Sequence, residues 1–124
     1  YYPAPRENHA LAMAFGAGLG GKRPCLLMQN SGLGLLGDTL FGLQHLYKRG
    51  VLLVVSARGE LSWEEPQHQE WGAKTEQFMR LLDIAVFDIE RDGDRACDLG
   101  SQTACDEQQP AAIIVHRGNV DEQG

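Results

Sequence analysis

Residues 6–34 read RENHALAMAFGAGLGGKRPCLLMQNSGLG. The first half has helical spacing: Leu11, Phe15 and Leu19 recur every four residues, with Ala10, Ala14 and Gly18 as a neighbouring stripe of small side chains. Gly20 and Gly21 end that helix. The second half, Pro24 to Asn30, is a short apolar run that stops at a glycine turn, the pattern of a strand buried on both faces. A helix leading into such a strand places the chain in the α/β class.

Working outward, the opening YYPAP is extended, because two prolines in five residues exclude a helix. After the turn, Leu33, Leu36, Leu40, Leu43 and Tyr47 predict a second helix with one apolar face, closed by Gly50. VLLVVS at 51–56 is the clearest strand. Residues 57–71, ARGELSWEEPQHQEW, are polar and aromatic without a period and read as a long, lid-like loop. A helix at 73–82, a strand at 85–89, a polar helix at 92–109 and a last strand at 111–117 follow. Helices alternating with apolar strands predict a parallel sheet covered on both faces, a three-layer α/β sandwich. A helix with no strand before it is unusual for an open sheet. It points to a missing first β-α-β unit.

The 124 residues make one domain, 1–124. No apolar run reaches the length of a membrane span. The formal net charge is -6, which argues against phosphate-held nucleic acid. The charge is uneven: residues 1–82 carry eight bases and seven acids, residues 83–124 three bases and ten acids. Cys25, Cys97 and Cys105 have neither metal spacing nor a disulfide framework, so a cytoplasmic location is expected, with Cys25 as a small core residue. The histidines also lack ligand spacing, so no metal is expected on this chain alone.

In parallel sheets ligands gather at the carboxyl ends of the strands. Two such ends carry polar, glycine-containing sequence: Gln29-Asn30-Ser31-Gly32-Leu33-Gly34, and Ser56-Ala57-Arg58-Gly59-Glu60. Gly32 to Gly37 also form a literal G-x-G-x-x-G, which alone admits a Rossmann-like dinucleotide site. Glu7 stands at a helix start, where the helix dipole favours any acid. Arg58 can pair bidentately with an oxyanion, and His68 titrates near neutral pH.

A second resemblance uses more of the chain. Glu7, the Ala10/Ala14/Gly16 series, Gly21-Lys22, Met28 to Gly34, VLLVVS, Arg58-Gly59, Glu65-Pro66-Gln67-His68 and Gly72 occur in order across residues 4 to 90. Together they resemble the pyrimidine-binding (PYR) domain of thiamine diphosphate enzymes, within the phosphonopyruvate and sulfopyruvate decarboxylase group. The resemblance implies the three-layer PYR fold with its first β-α-β unit absent, and thiamine diphosphate with Mg²⁺ as cofactors. It implies Glu7 as the catalytic acid at N1′ of the aminopyrimidine, with His68 as an aid to proton transfer. Asn30, Ser31, Gly32, Leu33 and Gly34 would then line the cofactor, and Asn30, Ser31 and Arg58 would face a small anionic 2-oxo acid. Diphosphate and metal would be held by a partner PP domain or beta subunit, because G-D-G followed by N-N does not occur here. Self-association through PYR domains is also implied. Two positions depart from the family pattern: Leu35 and Asp38 stand where it carries Asn. A degenerate PYR domain that only assembles with other chains is the alternative within the same fold.

Overall fold

The computed structural model describes residues 1–120. Helix α1 spans Glu7–Leu19 and leads into strand β1, Cys25–Gln29. A 3₁₀ segment, Asn30–Leu35, runs into α2 at Gly37–Thr39 and a π-helical stretch at Leu40–His45. Then come β2 (Leu52–Ser56), α3 (Pro66–Gly72), α4 (Thr75–Leu81) and β3 (Ala85–Asp88). The chain continues through α5 (Ile89–Asp92) and α6 (Arg95–Ser101, with a π-helical tail Gln102–Asp106) to β4 (Ala111–Val115). The four strands form one all-parallel sheet in the order β1-β2-β4-β3. This is the α/β architecture expected, with β1 on a free edge.

Side chains alternate across the sheet. Leu26, Leu53, Val55, Val86, Ala112 and Ile114 share one face and pack with Leu11 of α1, Met79 of α4, and Leu36 and Leu40 on either side of α2. On the other face α6 lies across the sheet centre, where a Cβ on Gly100 would meet Ile113 and Leu52. That layer does not reach β1. Cys25 is therefore exposed rather than a core residue, and Leu27 is 67% exposed.

Three other expectations shift. The segment read as a loop contains α3, with Pro66 at its start. None of the residues of α3 is buried, so no apolar period could announce it. The polar helix at 92–109 is interrupted at Gly93, whose φ of +60° separates α5 from α6. In the second helix the buried positions run Leu36, Leu40 and then Gln44, while Tyr47 is 60% exposed. The π-helical stretch follows Leu40, and Gln44 donates there to the carbonyl of Leu11, 3.2 Å away. On α1, Leu11 and Ala14 are buried and Leu19 is 56% exposed.

Candidate active site

The carboxyl ends of β1, β2 and β4 lie level, with Gln29, Ser56 and Val115 in register. Glu7 reaches this edge from the first turn of α1 and lies directly over the turn that follows β1. A Cβ built on Gly32 would sit 2.6 Å from Oε1 of Glu7 and 2.5 Å from its Cγ. Any Cβ here would displace the Glu7 side chain, so glycine is what lets this carboxylate rest on the turn. Glu7 is half-buried, and among the described residues no hydrogen bond or ion pair reaches its oxygens.

The neighbouring residues of the turn divide between packing and polar roles. Gly34 lies under the indole of Trp71, with a Cβ position 3.2 Å from its ring, and Leu33 is fully buried. Ser31 accepts a 2.8 Å hydrogen bond from the Gln29 amide, which also lies 3.0 Å from Nε2 of His68. With the amide oriented this way, both of its N–H bonds are given away. Nε2 is then the acceptor of this pair, while Nδ1 is buried and unpartnered. Gln29 thus bridges Ser31, two residues on, to His68, 39 residues away.

Asn30 is fully buried. Its amide N–H groups bond the Arg58 carbonyl and the Thr75 hydroxyl, each at 2.9 Å. In this structure it ties the turn after β1 to the turn after β2 and to α4, with its Oδ1 buried and unpartnered. It acts on the site through the backbone of Arg58, while the half-buried Ser31 is the more accessible of the pair.

The turn after β2 is built around Glu64. Its Oε2 accepts from the backbone N–H groups of Gly59, Glu60 and Leu61 at 2.8–3.1 Å, and Oε1 accepts from Nε of Arg58 at 2.7 Å. Burial pushes the Glu64 carboxyl up, but the Leu61 N–H, the Arg58 guanidinium and the Gly59 N–H outweigh it and hold the group below the usual carboxylate range. Gly59, at φ +91°, lies so close to α3 that a Cβ would overlap the His68 carbonyl, and one on Gly72 would lie 2.5 Å from the Gly59 carbonyl oxygen. This mutual contact explains why Arg58-Gly59, His68 and Gly72 occur together: the glycines allow α3 to press His68 toward β1.

The chain shares this arrangement's sequence with named proteins, although no family model matches it. It is 30% identical over 118 residues to the sulfopyruvate decarboxylase subunit alpha of Methanococcus maripaludis, covering 93% of this chain and 70% of that one. The chain belongs to the sulfopyruvate and phosphonopyruvate decarboxylase family. The subunit alpha of Methanocaldococcus jannaschii is 33% identical over 85 residues, half of its own length. The phosphonopyruvate decarboxylase of Streptomyces viridochromogenes is 35% identical over 85 residues, 21% of its length. Membership in a decarboxylase family, with relatives named as alpha subunits, agrees with the resemblance read from residues 4 to 90.

The dinucleotide reading of G-x-G-x-x-G fails on geometry. At Gly32 and Gly34 a carboxylate and an indole occupy the places where a pyrophosphate would approach the backbone. The decarboxylase sequence signal also missed Gln29 and Glu64 as functional neighbours, and a further cluster around His116. His116 Nε2 lies 3.0 Å from both carboxylate oxygens of Asp88, and Nδ1 contacts Glu60. These three residues stand at the ends of β4, β3 and in the turn after β2, where no local spacing links them. Burial lowers the affinity of His116 for a second proton, but Asp88 and Glu60 outweigh it and raise its pKa above the ordinary histidine value. Among the described residues no helix is long and apolar enough to cross a membrane, and no group of three His, Cys, Asp or Glu side chains is disposed around a metal position.

Proposed function

We propose that this chain is the alpha, PYR-type component of a thiamine diphosphate-dependent decarboxylase for a small anionic 2-oxo acid, phosphonopyruvate or sulfopyruvate. One observation carries the reading: the unpartnered Glu7 carboxylate rests on Gly32, where any Cβ would displace it. A carboxylate left without donors from the chain is suited to a ligand N–H, a protonated ring nitrogen included. The residues therefore fit the pyrimidine end of the cofactor. Bound thiamine diphosphate supplies the nucleophilic carbon and the electron sink for loss of carbon dioxide.

The chain's own residues then divide the remaining work. Glu7 holds a proton at the aminopyrimidine N1′ position. Gly32 and Gly34 fix the turn on which Glu7 rests, with Leu33 anchoring it from below. Asn30 sets the Arg58 backbone, and the Arg58 guanidinium binds the anionic substrate. Ser31 and His68, joined through Gln29, orient the substrate and return a proton to the product. The diphosphate and Mg²⁺ belong to a partner beta subunit, and PYR domains associate with one another. That the relatives are called subunit alpha supports the need for such a partner.

The test mixes the chain with a partner carrying the diphosphate motif, thiamine diphosphate and Mg²⁺, and measures carbon dioxide released from each 2-oxo acid. Glu7→Gln should lower turnover by about 10²-fold or more. Equal rates for the two forms would sink the assignment. A second reading, an assembly-only domain, draws on Leu35, which is 40% exposed at the carboxyl edge where the family pattern has Asn. A chain that binds its partner and yields no turnover with either acid would favour it.

A further inference from the structure

A cavity of about 390 Å³ opens beside the carboxyl ends of β2 and β4, within the size range of small-ligand sites. Its walls combine Arg58, Arg117 and His116 with the apolar surfaces of Trp63, Leu61 and Val115. The sequence gives no hint of it, since Arg117 and Trp63 are 54 residues apart.

The charges around it are unequally committed. Glu64 is buried and its two oxygens are taken by three backbone N–H groups and Arg58 Nε. Glu60 is taken by His116. Two ring nitrogens that both face carboxylates must both carry protons, so His116 is an imidazolium there. Each carboxylate lining the cavity is thus engaged by at least one donor of the chain itself, Glu60 through Oε1. The cations are not so engaged. Arg58 commits its Nε and is still 44% exposed, and its terminal N–H groups make no hydrogen bond among the described residues. Arg117 makes no side-chain hydrogen bond or ion pair among them either. Its guanidinium instead lies over Trp63, 5.4 Å from the ring centre. Held on an aromatic face, that guanidinium keeps its fork of donors for a ligand.

We propose that this cavity is a binding site for a small organic oxyanion: a phosphonate or sulfonate group on a short carbon chain, gripped by Arg58 and Arg117, with the chain against Trp63, Leu61 and Val115. The anion comes either from the tail of the substrate, which rests on the function proposed above, or from a separate effector of the same chemistry.

Trp63 provides the readout. The full chain is titrated with ethylphosphonate and ethanesulfonate while tryptophan emission is followed, with sodium chloride at matched ionic strength as the reference. A saturable change beyond that of chloride is expected. Arg117→Met should weaken binding by about tenfold or more, as should Arg58→Met. Trp63→Phe should remove the signal while calorimetry still detects binding. The proposal is overturned if no saturable binding occurs, if chloride reproduces the change, or if Arg117→Met binds as well as wild type. With the partner subunit present, competition between the probe and the 2-oxo acid assigns the site to the substrate tail. Binding without competition assigns it to an effector. Binding by a chain that never supports turnover leaves this site standing and removes the decarboxylase reading instead.

Discussion

Glu64 and Glu7 both stand over glycine turns at the same edge of the sheet, and the chain equips them in opposite ways. Glu64 accepts three backbone N–H groups and the Arg58 guanidinium, and is buried. Glu7 rests on Gly32 and receives no hydrogen bond among the described residues. A carboxylate with every lone pair directed at a donor has no capacity left for a ligand; it organises backbone. A half-buried carboxylate without a donor from the chain itself keeps its lone pairs for water or a ligand. The two turns therefore differ in what they leave available to a ligand, and each can be disturbed alone.

The largest effect is expected on the Glu64 side. Gly59→Ala puts a Cβ into the His68 carbonyl at a residue with φ +91°, so neither rotamer change nor side-chain motion relieves it. A loss of about 2–4 kcal/mol is expected, read as a lower urea midpoint. Gly72→Ala meets the same contact from the other side, and the double variant should lose less than the sum of the two. A wild-type midpoint for Gly59→Ala would mean that the turn after β2 and α3 do not touch.

Gly32→Ala sharpens the other side. Here the added methyl meets Cγ, Oε1 and Cδ of Glu7, a flexible side chain that can swing away. Stability should change by less than about 1 kcal/mol, while turnover in the reconstituted enzyme should fall about 10²-fold because the carboxylate is displaced. If Gly32→Ala instead unfolds the chain and spares turnover in the survivors, the contrast between the two glutamates is wrong.

The pH dependence comes next in size. His116 joins the turn after β2, through Glu60, to the end of β3, through Asp88. Its pKa is raised on folding, so its contribution is full below about pH 6.5 and is lost as pH rises through the higher folded value. Asp88 moves the other way. Burial raises it, but the bonds from His116 and the Glu90 N–H hold it low, so its contribution is present above about pH 3.9 and lost as pH falls through its lower folded value. The pair should be strongest between those limits. His116→Gln should cost about 1–2 kcal/mol at pH 5.5 and less at pH 9. An unchanged difference across that range would exclude the charged clamp.

How much of this was legible in the sequence follows from how local each cause is. The strands and α1 were legible, because apolar runs and glycine stops lie within a few residues of one another. So was the pairing of Glu7 with the turn after β1, though only through a resemblance that spans the segment. Helix α3 was not, since it buries none of its residues and is defined by backbone contact with Gly59. Gln44 was not, because the π-helical stretch moves the buried face. Cys25 was misplaced because an apolar strand does not reveal whether its outer face is covered. The cluster of Glu60, Asp88 and His116 forms only when three strand ends meet.

The smallest expected effect tests the link between the two turns. Among the described residues, Gln29 is the one side chain that hydrogen-bonds both Ser31 of the first and His68 of α3, which packs on the second. Gln29→Ala removes two partly exposed hydrogen bonds, so stability should fall by about 1 kcal/mol or less. The chemistry should register it differently. With Gln29 absent, Nε2 of His68 loses its hydrogen-bond partner and the ring is no longer held to one tautomer. If His68 moves a proton, the pH profile of kcat/KM should shift while KM for the 2-oxo acid stays near wild type. Gln29→Glu separates the two effects. A carboxylate beside Nε2 stabilises the imidazolium and should move the same limb of the profile toward higher pH. A profile unmoved by both variants would make His68 part of the packing of α3, and would leave Glu7 as the sole proton-handling group on this chain.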